Sequence, residues 1–323
     1  MLSHALAGRC VEREVTGPLG EPVRARFLLV DRTAYVESAA ACGLDHVPRA
    51  RRAPDVARRA TTRGVGELVA AAREAGAREV VIGLGGSATT DGGAGFLAAL
   101  GAVPVDGAGR PLRDGGAVLR RCARLDGAPG LDGVDLIAAA DVDNPLLGPH
   151  GAAAVFGPQK GADDTAVADL EAGLARFADV LAAAFGRDVR DEPGAGAAGG
   201  LGAALLALGA RRASGAELVR RLVGLDAAVE QADLVVTGEG SFDRQSPRGK
   251  LVTAVARTAA DRGIRCLVLA GQVSLDPEEV AALGVSAAYS VAESAGGVAA
   301  AMADPAGTLS TLAEQVASQW STA

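Results

Sequence analysis

The sequence predicts an α/β protein built from parallel, right-handed strand–helix units. Strands and helices alternate along the chain, most regularly from about residue 226 onward, as parallel sheets require. Short apolar runs end in glycine-rich or polar segments, the pattern of buried strands. A chain of 323 residues, 49% of them apolar, is long enough for about two domains with real cores.

In the first two thirds of the chain, residues 22–39 predict two short strands around a turn at Asp31 and Arg32. Helical spacing over 61–77 precedes a buried strand, and a second buried strand follows at 133–145. Residues 165–186 predict a long amphipathic helix, and two more helices follow it. The apolar face of the long helix carries Val167, Leu170, Leu174, Phe177, Leu181 and Phe185.

The last third has a simpler rhythm. Three strands alternate with three helices, and this regularity carries the prediction of a parallel sheet. Segments 104–116 and 187–199 are rich in turn residues and predict loops. The predicted strands lie in "QADLVVTGEG", "IRCLVLAGQV" and "SAAYSVAES", and the helices in "GKLVTAVARTAADRG", "PEEVAALG" and "LSTLAEQVASQW".

Composition excludes several classes of protein. The net charge is −7 and no block of Lys or Arg dominates, which argues against nucleic acid as the main partner. The four cysteines are scattered without a C-x-x-C pair, so we expect neither a disulfide framework nor a structural zinc site, and a reducing cytoplasm fits. The apolar stretch 197–210 is too short and glycine-rich to span a bilayer.

Four predicted strands end in polar or glycine-rich loops. Ligands of open α/β sheets bind outside the carboxyl ends of the strands, so these loops predict a small-molecule site. The four loops are "LGGSATTDGGAG", "AADVDNPLLG", "TGEGSFDRQSPRGK" and "LAGQ".

The first loop combines glycines with hydroxyl side chains around Asp91. A helix is predicted to begin near residues 93–94, where backbone N–H groups form a cradle for phosphate or carboxylate. Asp91 has a functional interpretation, as a ligand of Mg²⁺ or a base, and a structural one, as the cap of this helix. The expected binding residues of this loop are Gly85, Gly86, Ser87, Thr89, Gly92 and Gly93.

Familiar motifs do not explain this loop. It is no Walker A loop, because no Gly-Lys-Ser/Thr follows. Gly83-x-Gly85-x-x-Ala88 matches the dinucleotide pattern only loosely. The flanks of Ser87 do not form a nucleophile elbow, and the three histidines show no triad or metal spacing.

The third loop carries the residue types of phosphoryl transfer, namely carboxylates for a metal and cations for phosphate. The alternative interpretation of this loop is a solvated turn with internal ion pairs. Asp243 and Lys250 are the expected catalytic groups, together with Asp91 of the first loop. The expected binding residues are Gly238, Glu239, Gly240, Ser241 and Arg248.

Two smaller features complete the candidate site. Asp141, Asp143 and Asn144 offer oxygen ligands for Mg²⁺, or they shape a turn before Pro145. Lys160 and Lys250 are the chain's two lysines among 32 basic residues, and both lie beside glycine. A compact ammonium suits a phosphate-facing site, so Lys160 is a further candidate binding residue; the alternative is an exposed surface lysine.

These segments resemble the type I glycerate kinases of bacteria. The resemblance rests on "TGPLGEPVRARF", "VIGLGGSATTDGGAG", "DVDNPLLGPHGAAAVFGPQKGA", "EPGAGAAGGLGAALLALGA" and "TGEGSFDRQSPRGK", in family order. It implies phosphorylation of D-glycerate by ATP with Mg²⁺, giving 2-phosphoglycerate. It also implies two α/β domains, a flavodoxin-like parallel sheet and a mixed-sheet domain inserted into it.

On this pattern the inserted domain covers 9–225, and the flavodoxin-like domain covers 226–323 with 1–8. Family members begin with two further strands that residues 1–8 are too few to supply, so we expect an N-terminally shortened member with an incomplete parallel sheet and impaired kinase activity. The alternatives are a non-catalytic remnant that binds a ligand or a partner, and a dinucleotide-dependent oxidoreductase suggested by the glycine pattern at 83–88.

Overall fold

The structure is a computed structural model that describes residues 6–243 and 251–320. Its internal contacts divide the chain after Gly215 into two compact units, called unit 1 (before the division) and unit 2 (after it). Both contain sheets covered by helices, so the predicted pair of α/β domains is confirmed. The predicted boundary at 225/226 and the insertion of one domain into the other stay predictions, since part of segment 1–8 lies outside the described residues.

Unit 1 contains a mixed six-stranded sheet of order β1-β2-β3-β4-β7-β8. The pairs β1–β2 and β2–β3 are antiparallel, whereas β3–β4, β4–β7 and β7–β8 are parallel. Register aligns Phe27, Val36, Ile82 and Ala138 in one buried row across four strands. The strands of unit 1 are β1 (Arg9–Thr16), β2 (Pro22–Val30), β3 (Thr33–Glu37), β4 (Glu79–Gly83), the antiparallel pair β5 (Val103–Val105) and β6 (Arg124–Asp126), β7 (Asp135–Ala139) and β8 (Arg211–Ala213).

The longest helix of unit 1, Asp164–Phe185, has the caps and the buried apolar stripe that the sequence pattern predicts. The Asp163 side chain accepts a hydrogen bond from the Ala166 N–H at its start, and Gly186 ends it with φ 72°. Its predicted apolar stripe is buried at Leu170, Leu174 and Phe177. The helices of unit 1 are α1 (Ser38–Cys42), α2 (Pro54–Arg59), α3 (Arg63–Glu74), α4 (Ala94–Ala99), α5 (Ala152–Phe156), α6 (Asp164–Phe185) and α7 (Leu201–Ala207).

Unit 2 contains a parallel sheet of order β9-β11-β13 and a short parallel pair, β10-β12. Its strands are β9 (Leu234–Thr237), β10 (Ser241–Phe242), β11 (Arg265–Ala270), β12 (Gln272–Val273) and β13 (Ala287–Ser290). Helix α8 (Gly215–Leu222) begins at the division between the units. The other helices are α9 (Leu225–Glu230), α10 (Leu251–Ala260), α11 (Pro277–Ala282), α12 (Val291–Ser294), α13 (Val298–Ala303) and α14 (Pro305–Trp320).

The central strand β11 is buried on both faces. Cys266 and Val268 point into one core with Phe242, while Leu267 and Leu269 point into a second core with Leu312. A near-continuous apolar run is the expected signature of such a strand. The three parallel strands therefore end together at one carboxyl edge.

Most predicted elements are confirmed, and the differences are local. The predicted turn at Asp31 joins β2 to β3, with φ 52° at that residue. The predicted loop 104–116 overlaps β5, which pairs with β6. The strand predicted in "SAAYSVAES" stops at Ser290, whose hydroxyl caps α12 by accepting from the Glu293 N–H. Within the described residues, no helix combines the length and hydropathy needed to cross a membrane.

Candidate active site

Asp91 lies in the loop between β4 and α4 and is completely buried. Its carboxylate accepts hydrogen bonds from the backbone N–H of Thr62 at 2.9 Å and from the Thr62 hydroxyl at 2.9 and 3.0 Å. It also accepts from the N–H groups of Gly93 at 3.2 Å and Gly95 at 3.1 Å. One carboxylate thus joins the start of α4 to the start of α3.

This geometry favours the capping interpretation of Asp91. Burial raises its pKa above the ordinary range of an aspartate, and the hydrogen bonds from Thr62, Gly95 and Gly93 act in the opposite direction. Both carboxylate oxygens already accept hydrogen bonds. The catalytic assignment of Asp91 stays a prediction.

Other residues of this loop differ in their access to solvent. Gly85 and Gly86 are exposed, whereas Ser87 and Thr89 are buried. The carbonyl of Gly86 accepts from the Leu44 N–H at 2.9 Å. Gly92 and Gly93 are buried at the start of α4. A ligand on this side of unit 1 would therefore reach the loop at residues 85–86.

Lys160 lies at the end of a short 3₁₀ turn and is 4% exposed. Its ammonium donates a hydrogen bond to the carbonyl of Thr89 at 2.5 Å. Burial lowers the pKa of Lys160 to about 8, opposed by the nearby Cys42 and Asp91. Lys160 is not a surface lysine: it joins the 3₁₀ turn to the first glycine loop.

The loop after β7 lies beside the one after β4. The two strands are parallel neighbours, with Gly83 opposite Ala139, and the Leu84 N–H donates to the Ala139 carbonyl. Asp141 accepts from the Ser214 hydroxyl at 2.8 Å, and the Asn144 amide donates to the His150 carbonyl at 2.8 Å. The structure thus brings the predicted metal ligands to the same sheet edge as Gly85 and Gly86.

Asp143 forms an ion pair with Arg212. Across residues 6–243 and 251–320, no group of three or more His, Cys, Asp or Glu side chains could hold a metal ion. Mg²⁺ commonly uses one or two carboxylates together with substrate phosphates, so a protein cage is not required. The predicted role of Asp141 and Asn144 stays a prediction.

In unit 2 the third loop follows β9 at the carboxyl edge of the parallel sheet. A Cβ on Gly238 would lie 2.3 Å from the Leu269 carbonyl oxygen, so glycine is required there by the approach of β11. The Ser241 hydroxyl donates to Asp243 at 3.0 Å. The carbonyls of Glu239 and Gly240 accept from the N–H groups of Gly271 and Gln272, at 3.0 Å each. Arg248 and Lys250 lie outside the described residues.

A cavity of about 540 Å³ opens at this carboxyl edge. Its wall combines the loop 238–240 with residues after β11 and β13 and with side chains from α13 and α14. The sequence interpretation placed polar groups here but missed the apolar wall. Val298, Met302 and Leu309 come from two separate helices and share no motif, so no local pattern in the sequence indicated this wall.

A family model described as "Glycerate kinase family" matches residues 1–321. A glycerate kinase of Bacillus subtilis (strain 168) is 46% identical, over 90% of this chain and 77% of its own length. A glycerate 2-kinase of Escherichia coli (strain K12) is 43% identical, over 87% of this chain and 75% of its own length.

A solved structure leads to the same family. The crystal structure of a putative glycerate kinase 2 from Salmonella typhimurium LT2 superimposes with a TM-score of 0.76 at 42% identity. The alignment covers 90% of this chain and 76% of that one.

Proposed function

The chain belongs to the glycerate kinase family, and from this premise we propose that it transfers the terminal phosphoryl group of ATP to D-glycerate, giving 2-phosphoglycerate. The family match over residues 1–321 carries the proposal. The choice of the 2-position follows the relative named glycerate 2-kinase. Each unit has polar loops at the carboxyl ends of its parallel strands, where α/β sheets bind small molecules.

The proposed step forms a bond between a glycerate hydroxyl oxygen and the γ-phosphorus, and it breaks the bond from that phosphorus to the oxygen retained by ADP. The hydroxyl proton passes to a carboxylate. We assign that carboxylate to Asp243, which is half-buried at the carboxyl edge of unit 2, whereas Asp91 is completely buried within unit 1. The role proposed for Lys250 and Arg248, neutralising phosphate charge, rests on the sequence alone.

Mg²⁺ fits the oxygen donors near Gly85 and Gly86. We propose Asp141 and the Asn144 amide oxygen as its ligands, because hard cations prefer oxygen and the Asn144 amide group uses its nitrogen for the hydrogen bond to His150. When bound, Mg²⁺ would neutralise phosphate charge. Gly85 and Gly86 leave the backbone open to an anion at this edge.

A coupled assay tests the proposal. Purified full chain is mixed with ATP, Mg²⁺ and D-glycerate, and ADP release is followed with and without glycerate. An enolase-coupled readout then distinguishes 2-phosphoglycerate from 3-phosphoglycerate, since enolase accepts only the former. Folded protein that releases no ADP above the glycerate-free background contradicts the proposal. Turnover of a nicotinamide cofactor instead would favour the oxidoreductase alternative.

A further inference from the structure

The cavity in unit 2 has a composition that suits a flat, uncharged ring. Its volume of about 540 Å³ is within the range of about 300–1,000 Å³ usual for small-molecule sites. Glu239 is the single ionisable side chain in its described wall. The apolar side chains of the wall are Leu269, Val291, Val298, Ala301, Met302 and Leu309.

The exposed apolar side chains in the cavity wall indicate that a ligand or partner binds there. Eight large apolar side chains are exposed in the described part of the chain, and three of them, Val298, Met302 and Leu309, line this cavity. Scattered exposed apolar residues need no explanation, but a cluster around one concavity indicates a binding surface. Its place outside the ends of β9, β11 and β13 is where α/β sheets bind ligands.

We infer that this cavity binds the adenine ring of ATP, an inference that rests on the proposed function. The proposed reaction has two substrates. D-Glycerate has a carboxylate and two hydroxyl groups and no apolar face, so the apolar wall offers it nothing. The apolar wall offers nothing to the charged phosphates of ATP either. The adenine ring remains, and its burial would displace water from the ring and from the apolar wall.

Gln272 supplies the polar contact that an adenine requires. Its side chain is exposed at the cavity and makes no hydrogen bond within the described residues. A glutamine amide offers one donor and one acceptor, which match N7 and the 6-amino group of adenine. Guanine presents two acceptors on that edge, so Gln272 selects adenine over guanine.

Substitution of Met302 tests the cavity. Met302→Asp places a charge against the ring at a position that is 71% exposed, so folding should be unaffected. We expect the KM for ATP to rise tenfold or more, the KM for D-glycerate to stay within twofold, and adenosine to lose competitive inhibition against ATP. Val155→Asp is the matched control, because Val155 is also an exposed apolar helical residue, belongs to unit 1 and is not among the residues that line the cavity.

Gln272→Met tests the recognition of the base. It keeps the length of the side chain and removes both hydrogen-bonding groups. The ratio of kcat/KM for ATP to that for GTP should fall about tenfold, a usual discrimination for a bidentate amide contact. Inorganic triphosphate, which has no base, should inhibit the wild type and both variants equally.

The outcomes separate this inference from the proposed function. If the wild type shows no kinase activity, the proposed function fails, and titration of adenosine into the wild type and Met302→Asp still tests the cavity. If the wild type is active and Met302→Asp, shown to be folded by circular dichroism, keeps the wild-type KM for ATP, the inference is wrong. Loss of a dimer in Met302→Asp, seen by light scattering with ATP binding unchanged, would instead make the cavity an interface between copies of the chain.

Discussion

Asp91 concentrates more hydrogen bonds than a catalytic base needs. Its carboxylate accepts from three backbone N–H groups and one hydroxyl, and those donors belong to the first turns of two helices. A buried carboxylate is tolerated only where its hydrogen-bonding capacity is satisfied. The residue identity is therefore explained by local architecture before any chemistry is invoked.

Asp91→Asn should destabilise unit 1 strongly. The new amide NH₂ would face backbone N–H donors, and unsatisfied buried groups cost about 1–3 kcal/mol each. We expect a loss of about 2 kcal/mol or more in the free energy of unfolding, measured in urea. Thr62→Val removes the hydroxyl that donates to Asp91 and accepts from the Phe96 N–H, so it should also lower the free energy of unfolding. A loss of kcat above a thousandfold in folded Asp91→Asn, with stability retained, would establish the catalytic role instead.

Lys160 should give the protein a distinctive dependence on pH. Its folded pKa of about 8 lies below the ordinary 10.5, so between these values the unfolded chain holds a proton that the folded chain has lost. The contribution of Lys160 to the free energy of unfolding therefore rises with pH, by about 1 kcal/mol between pH 8 and 9. Below pH 8 both states are protonated and this slope disappears.

Lys160→Met isolates that contribution. The difference in unfolding free energy between wild type and variant should grow by about 1 kcal/mol from pH 8 to pH 9. The buried Cys42 thiol, whose pKa is raised to about 12 by burial, acts in the opposite direction as the unfolded thiol titrates around pH 9, but it does so in both proteins and therefore cancels from the difference. Urea unfolding at pH 7, 8 and 9 under reducing conditions measures the effect. A constant difference across these values would show that Lys160 keeps an ordinary pKa.

At the scale of elements, α3 packs against its neighbours through glycine. A Cβ on Gly64 would lie 2.0 Å from the Thr16 carbonyl oxygen, and one on Gly66 would lie 2.4 Å from that of Phe96. These contacts bring α3 against β1 and α4. Glycine lowers helix propensity, so close packing must outweigh that cost here.

Gly66→Ala should therefore destabilise, although alanine is the better helix former by about 1 kcal/mol. Overpacking against backbone commonly costs about 1–3 kcal/mol, and we expect a net loss within that range. Gly307→Ala in α14 is the comparison, because its Cβ would meet the carboxylate of Asp304, which can move at the cost of one hydrogen bond from the Gly307 N–H, so we expect a smaller loss. A Gly66→Ala protein as stable as the wild type would mean that α3 shifts easily.

The elements that the sequence predicted are those with strong periodicity. Helix α6 and the strands β9, β11 and β13 have apolar patterns that buried faces impose. Strand β1 buries only Val11 and Val15 and so gives a weak pattern, and β5 and β6 have three residues each. Short or half-exposed strands depend on their pairing partners, which local sequence does not specify.

The candidate site divides in the same way. Loops after β4, β7, β9 and β11 were predicted, because ligand sites in this fold class follow strand ends. The helical part of the apolar wall in unit 2 was not predicted, because Val291, Met302 and Leu309 come from separate helices and carry no motif. The interior positions of Lys160 and Asp91 were equally hidden, because burial of a charge depends on the assembled core.

Two features of the whole molecule have opposite effects on self-association: its net negative charge opposes it, and the edge of strand β9 favours it. The net charge of −7 favours separate molecules in solution. Strand β9 pairs with β11 on one side and has no partner strand on the other among the described residues. Val236, in this strand, is 58% exposed. An apolar edge strand is a template for pairing with another chain.

We therefore expect concentration-dependent association of the 323-residue chain that strengthens with salt, since salt screens repulsion and leaves edge pairing intact. Val236→Lys should weaken it, because lysine on an edge disfavours strand pairing. The substitution also reduces the net negative charge by one, so weaker association could not arise from added repulsion. Val155→Lys makes the same charge change at an exposed helical position and should leave association unchanged. Sedimentation at two salt concentrations measures the association of the wild type and of both variants. A wild type that stays monomeric at both concentrations, or two variants that associate equally, would show that β9 is not a pairing edge.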